Sequence, residues 1–332
     1  MDVLRRFWDQ SFFIPRPTLT EENLPDQIGR VFIVTGGYAG CGKELSRILY
    51  QRNGTVYIAG RSKAKAGKAV QEIRSACPDS KGRVEVMLLD LSDLTTIKPA
   101  VAAFLAKESR LDVLTNNAGV MFPPKGSLSA QNHELQIATN CTGPFLLTKL
   151  LTPLLQQTAQ APNTPPGSVR VTWAGSIGVD VFSPKGGVTF DPHGAYLPSP
   201  KQDTQLDYGA SKAGNVFLAA EFARRYPVER TGLVTNSWNP GSLRTELARH
   251  MEGLMTRIMS KLLLYPAVFG AYTELFAGWS EEAGRVERNG EYVIPWGRFG
   301  TFRQDIKVEI GKEGGNAEKF WEWCESVTKE YS

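Results

Sequence analysis

Cysteine is scarce in this chain of 332 residues: Cys41, Cys77, Cys141 and Cys324 are the full set, and no two share a paired spacing. That excludes a disulfide scaffold and a cysteine-rich zinc site, and it fits a reducing compartment. The three histidines, His133, His193 and His250, are scattered without ligand spacing, so no metal is expected. An excess of one charge is also missing. The formal net charge is +4, with basic residues spread along the chain, which argues against a nucleic-acid partner. No repeat or low-complexity block occurs. The longest apolar stretch, from Leu262, contains Pro266 and Glu274 and lacks the clean run that a bilayer crossing needs. At the N-terminus, Asp9, Gln10 and Pro15 break the apolar run of a secretory signal, and Asp2, Asp9, Glu21 and Glu22 argue against a matrix-targeting helix. A soluble, cytoplasmic protein is expected.

The residues that are present suit one large α/β core, with 42% hydrophobic and 22% charged content. Strand-like runs at 30–35, 55–59, 83–88, 112–115, 168–173, 231–237 and 290–294 alternate with helical segments, the longest at about 130–157 and 208–226. This alternation predicts a Rossmann-type, doubly wound parallel sheet of about seven strands with helices on both faces. A leader (1–28), a single domain (29–300) and a C-terminal tail (301–332) are expected, the tail with Trp321 and Trp323 lying over the pocket or on the leader. Two segments break the alternation. Residues 177–207 are rich in Gly, Pro and Asp, and residues 242–285 carry Met251, Leu254, Met255, Ile258, Met259, Leu262 and Leu263. The second reads either as core packing or as a helical substrate lid.

Chemistry is suggested first by Tyr208 and Lys212 in "YGASK", four residues apart and therefore on one helical face. A phenol ionises near pH ~10, and a neighbouring ammonium favours its anion and lowers that value. An ordinary amphipathic surface would show the same spacing. The second signal is the apolar run Val31 to Thr35, followed by Gly36, Gly40 and Gly42 and an amphipathic stretch from Lys43 to Gln51. It reads as strand, glycine turn and helix, with the next strand at the spacing of a βαβ unit. Glycines let the backbone turn sharply and approach a pyrophosphate at the helix N-terminus.

The order "TGGYAGCG", "NNAG" (Asn116 to Gly119), Ser176, "YGASK" and "NPG" (Asn239 to Gly241) resembles the short-chain dehydrogenase/reductase family over roughly residues 29–295. The leader "FFIPRPTLTEENLPDQIGRVFIVTGG" is similar to the light-induced alcohol dehydrogenase branch of filamentous fungi. The resemblance implies a nicotinamide dinucleotide across the carboxyl ends of the strands, with Gly36, Tyr38, Gly40, Cys41 and Gly42 lining the pyrophosphate. Cys41 stands where a branched aliphatic is common, and a thiol at a helix N-terminus invites reactivity. After the second strand come Ala59, Gly60 and Arg61, with Lys65 one turn on and no carboxylate, which favours NADPH; solvation of a loop is the plain alternative. Asp90 and Leu91 match the adenine contact, although Asp90 could instead cap the helix near Leu94. Asn117, Ala118 and Gly119 match the adenosine-ribose passage. Pro240, Gly241 and Thr245 match the segment facing the carboxamide, with Leu243 and Arg244 ordering around the cofactor.

By the same resemblance the catalytic set is Asn140, Ser176, Tyr208 and Lys212. Tyr208 exchanges the proton, Ser176 stabilises charge on the carbonyl oxygen, Lys212 holds ribose hydroxyls and eases the Tyr208 proton, and Asn140 positions a water. Asn140 could also be a satisfied core amide, and Ser176 a turn cap. The apolar segments at 177–207 and 242–285 suit a hydrophobic ketone or secondary alcohol. An NADP(H)-dependent ketoreductase of fungal secondary metabolism is the expected function; a retinol- or steroid-type alcohol dehydrogenase and a non-catalytic NADPH-binding regulator are the alternatives. Family members commonly pair through the long helices, so Val216, Phe217, Ala220 and Phe222 mark either a homodimer interface or the side facing the sheet.

Overall fold

Each of the seven expected strands is a strand in the computed structural model, which describes residues 2–244 and 264–332. They are β1 (Val31–Thr35), β2 (Thr55–Gly60), β3 (Arg83–Leu88), β4 (Val113–Asn116), β5 (Val169–Ala174), β6 (Leu233–Trp238) and β7 (Tyr292–Ile294). An eighth, β8 (Arg298–Phe299), pairs antiparallel with β7; the others are parallel in the order 3-2-1-4-5-6-7-8. Every residue of β1, β5 and β6 is buried, the outcome of covering both faces of a parallel sheet. Strand order reverses between β1 and β4, the place where open α/β sheets bind ligands.

The longer helices among the described residues are α1 (Asp2–Ser11), α2 (Gly40–Gln51), α3 (Lys63–Ala76), α4 (Ile97–Leu105), α5 (Gly143–Ala159), α6 (Thr204–Arg225), α7 (Ala267–Trp279), α8 (Gln304–Gly311) and α9 (Asn316–Thr328). One face of the sheet is covered by α2, α3 and α7 through Leu45, Ile48, Ala69, Ile73, Ala271 and Leu275. The other is covered by α4, α5, α6 and α9 around Phe104, Phe145, Leu151, Phe217, Phe320 and Trp321. No helix among the described residues is long and apolar enough to cross a membrane.

Several boundaries differ from the sequence expectation for local reasons. α6 starts at Thr204, ahead of Tyr208, because the Asp203 carboxylate accepts the amides of Gln205 and Leu206. The helix expected from about 130 begins at Leu135, where Glu134 accepts the Ile137 amide, and widens to a π-turn over Ala138–Thr142 before α5. Residues 267–279, expected in a lid, form a helix on the sheet: Gly270 of α7 lies so close to α2 that a Cβ there would sit 2.6 Å from Cys41 Sγ. The methionine and leucine stripe from Met251 to Leu263 lies outside the described residues.

The tail packs on the long helices and on the segment after β5, with Trp323 5.2 Å from the Tyr196 ring. Trp321 of α9 packs edge-to-face on Phe145 of α5 at 4.9 Å, and a Cβ on Gly214 of α6 would meet Phe320 at 2.7 Å. Val216, Phe217 and Phe222 are thereby buried inside one chain. α9 thus lies against α5 and α6 of its own chain.

Gly209 marks the closest approach behind the site, since a Cβ there would overlap the backbone of Phe182 and Ser183. Alanine favours a helix by about 1 kcal/mol over glycine. Backbone overlap opposes this and wins, so Gly209→Ala should destabilise by about 1–3 kcal/mol, measurable as a lowered thermal unfolding midpoint.

Candidate active site

The turn after β1 is shaped by its lack of side chains. Gly36 (φ 67°) and Gly40 (φ 52°) take left-handed backbone that other residues adopt at a cost. A Cβ on Gly42 would overlap Asn117 Nδ2, which donates to Thr35 O at 2.7 Å. Thr35 Oγ1 in turn accepts the Ala118 amide at 2.9 Å, so the turn after β4 is fastened to the end of β1. The N-cap of α2 is Ala39, which makes no side-chain cap, so its side chain takes none of the first amides of the helix. This bare cradle fits a pyrophosphate.

Tyr38 extends away from that cradle: its ring lies on Gly60 at the end of β2, where any Cβ would overlap it. Arg61 follows on the surface, its Nη1 a loose 3.8 Å from Asp90 Oδ2, immediately before α3. Ser62 caps α3 by accepting the Lys65 amide at 3.3 Å. Asp90 uses Oδ1 to accept the Ser92 amide and hydroxyl at 2.9 and 2.7 Å; the cap at Leu94 is made by Asp93. Leu91 is buried, with its carbonyl against Gly143, where a Cβ would overlap it. Cys41 is buried too, and burial, with Glu274 adding to it, pushes its thiol well above the ordinary range. Burial thus opposes the thiolate that a helix N-terminus would favour.

The catalytic candidates converge where β5 ends. Tyr208 Oη donates to Ser176 Oγ at 3.4 Å, and Ser176 Oγ also accepts the Gly178 amide at 3.0 Å. Lys212 Nζ donates to Ala174 O at 3.0 Å and lies 5.6 Å from the Tyr208 ring centre. Asn140, in the π-turn, accepts the Val120 amide at 2.8 Å and donates to Val120 O and to Ser211 Oγ at 3.1 and 2.9 Å. Ser211 Oγ donates to Tyr208 O, which joins Asn140 to α6. Gly119 provides the gap where two of these side chains meet: a Cβ there would be 3.0 Å from Asn140 Oδ1 and 3.5 Å from Lys212 Nζ.

Burial dominates the electrostatics. Tyr208 is 5% exposed, and its phenol is pushed up by desolvation, with the Ser176 hydrogen bond opposing. The lowering expected from Lys212 does not govern, because the ammonium is turned onto the Ala174 carbonyl. Lys212 itself is driven down to about 8 by burial.

Several contributors carried no signal in the sequence. Asn215 Nδ2 shares the Ala174 carbonyl at 2.8 Å, one turn along α6 from Lys212. Phe122 packs edge-to-face on Tyr208 at 5.3 Å and faces Phe182 at 6.0 Å, giving the phenol an aromatic wall. Tyr292 donates to Ser176 O at 3.2 Å. From the leader, Gln10 Oε1 accepts Asn239 Nδ2 at 2.8 Å, while Asn239 Oδ1 accepts the Gly241 amide at 3.0 Å. Pro240 and Gly241 (φ 86°) are thus fixed by α1; Thr245 lies outside the described residues. Leu243 is buried against Gly270, and the Arg244 amide donates to Tyr265 O. The 183–188 loop beside the site is braced by the tail: Arg303 donates to Ser183 O and Pro184 O, and Asn316 to Gly186 O and Val188 O.

A Rossmann sheet with a bare glycine turn at its switch point and a Tyr, Lys, Ser and Asn group at the end of β5 defines the class of nicotinamide-dinucleotide oxidoreductases. Comparison narrows this. The profile of the short chain dehydrogenase family matches residues 30–162. A "short-chain dehydrogenase/reductase" of Phomopsis amygdali is 45% identical, covering 99% of this chain and 98% of its own. Among solved structures, an uncharacterized Mycobacterium paratuberculosis protein is similar at TM-score 0.67 and 27% identity, over 94% of this chain and 97% of its own. The Pseudomonas aeruginosa RhlG/NADP active-site complex shares the fold at TM-score 0.61 and 23% identity, over 81% of this chain and 95% of its own. The chain belongs to the short-chain dehydrogenase/reductase family, oxidoreductases that act on CH–OH groups with NAD(P)(H).

The depressed Lys212 carries a stability cost. Between its ordinary 10.5 and about 8, the charged form loses about 3 kcal/mol on folding, in force below pH 8 and relieved as pH rises toward 10.5. Lys212→Met should therefore unfold at a higher temperature than wild type at pH 7, and the gap should narrow between pH 8 and pH 10 in thermal melts.

Proposed function

We propose that this chain is an NADPH-dependent reductase that converts a hydrophobic ketone to a secondary alcohol. The observation that carries the reading is the approach of Tyr208 Oη to Ser176 Oγ at 3.4 Å with Lys212 buried behind them. A bound nicotinamide dinucleotide supplies the hydride. The elevated phenol keeps Tyr208 protonated at neutral pH, the state a carbonyl reduction requires of its acid. Ser176 Oγ already accepts from Gly178 and Tyr208, so its own proton is free to be given to the carbonyl oxygen as charge develops there. Lys212, near 8, can return a proton toward Tyr208 Oη with little driving-force penalty. Asn140 holds Val120 and Ser211, and with them the spacing of the pocket wall from α6.

The choice of NADPH rests on the end of β2. Arg61 is exposed at the start of α3, no carboxylate occupies 59–61, and a helix N-terminus with a guanidinium beside it suits a phosphate. The RhlG complex holds NADP in the same fold. Phe122 and Phe182 favour an apolar substrate, and the leader's likeness to the fungal branch points to a ketone of secondary metabolism.

Tyr208→Phe should lower kcat by roughly 10²–10⁴-fold while the thermal midpoint stays within a few degrees of wild type. With Arg61→Ala, KM for NADPH should rise about tenfold or more and KM for NADH should barely change, the magnitude expected of lost charge-assisted hydrogen bonds. Equal effects on both cofactors in steady-state assays would overturn the assignment.

A further inference from the structure

Exposed large apolar side chains are not evenly spread over this protein. Five of the fourteen among the described residues, Val3, Leu4, Phe7, Trp8 and Phe13, fall within the first 13 positions. On α1 the inner side is spent on the protein: Gln10 is buried against Asn239, and Arg6 Nε donates to Asp180 at 2.9 Å. The outer side carries Leu4 (76% exposed) and Trp8 (57%), one turn apart, with Phe13 (87%) beyond the helix end. Trp8 stacks on Phe12 at 4.6 Å and stands 6.1 Å from Phe13, so these side chains form one continuous aromatic ridge. Ordinary surface leucines and phenylalanines occur singly; a ridge of this kind marks a contact surface.

The charges beside the ridge identify its partner. Among the described residues, Arg5 and Arg16 are exposed with no ion-pair carboxylate, whereas Asp9 of α1 pairs with Arg298 at 3.1 Å. An apolar ridge of Leu, Trp and Phe flanked by unpaired guanidinium groups is the signature of a helix that lies in the interface of an anionic bilayer.

We propose that α1 seats the protein on an anionic membrane surface through Leu4, Trp8 and Phe13, assisted by Arg5 and Arg16. Because α1 is bonded to Asn239 and Asp180, the seated surface adjoins the loop after β6 and the turn after β5, where Val181 is also exposed. An apolar compound dissolved in the bilayer then enters the pocket without crossing much water. The surface proposal does not depend on which ketone is reduced.

The test is co-sedimentation of the full chain with phosphatidylcholine vesicles, with and without phosphatidylserine, at low and raised salt. Wild type should bind the phosphatidylserine vesicles, and added salt should weaken binding. Leu4→Ser with Trp8→Gln should reduce the bound fraction about tenfold or more, and Arg5→Glu should reduce it on anionic vesicles alone. Thermal melts identical to wild type keep these variants interpretable, since the altered side chains are on the surface. The proposal fails if wild type stays in the supernatant with every vesicle, or if the Leu4/Trp8 variant binds as well as wild type. It also fails if sedimentation velocity finds a dimer that this variant dissociates, because the ridge is then an interface between copies.

Discussion

The carbonyl oxygen of Ala174 is the fixed point of the site. It accepts Lys212 Nζ at 3.0 Å and Asn215 Nδ2 at 2.8 Å, both buried, at the last residue of β5. A hydrogen bond from a charged donor in a dry interior contributes about 1.5–3 kcal/mol, enough to hold the rotation of α6 about its axis. That rotation decides where Tyr208 points, because Tyr208 and Lys212 are one turn apart on the same helix. From the same strand end the chain continues to Ser176, so one stretch of backbone sets the distance between the phenol and the hydroxyl. Gly209 lets α6 approach the 178–183 turn closely enough for the two to meet.

Much of this was legible in the sequence, for a physical reason. Strands covered on both faces read as unbroken apolar, β-branched runs, and Val31–Thr35 needs no alternation to be recognised. Turns that require glycine announce themselves, as at Gly36 and Gly40. What could not be read was whatever depends on distant segments meeting. The spacing of Tyr208 and Lys212 suggested an acidified phenol, but their burial, which raises the phenol and turns the amine onto a carbonyl, is a property of packing. Cys41 looked reactive at a helix start until Gly270, more than 200 residues later, was found against its sulfur. Residues 267–279 read as lid or core because apolar periodicity does not say which surface a helix covers. Asp203 as the cap of α6, Gln10 on Asn239, and Asn215 beside Lys212 carry no local pattern that singles them out.

The two ends of the chain do different work around one centre. The leader supplies Gln10 and Arg6, which fix the loop after β6 and the turn after β5. The tail supplies α9, which packs on α5 and α6, and the side chains of Arg303 and Asn316, which hold the 183–188 loop. Burial of Phe320 and Trp321 among the residues of α5 and α6 makes the tail part of the main core.

The bracing of that loop by Arg303 and Asn316 has an implication for the order in which a working molecule is made. A ribosome that has released the chain as far as β7 has already delivered Asn140, Ser176, Tyr208 and Lys212, together with the whole parallel sheet. The residues that pin one wall of the pocket are then still in the exit tunnel. The converging side chains and the shape around them are completed at different moments of synthesis, and a prematurely terminated product would carry those four side chains with that wall unsupported.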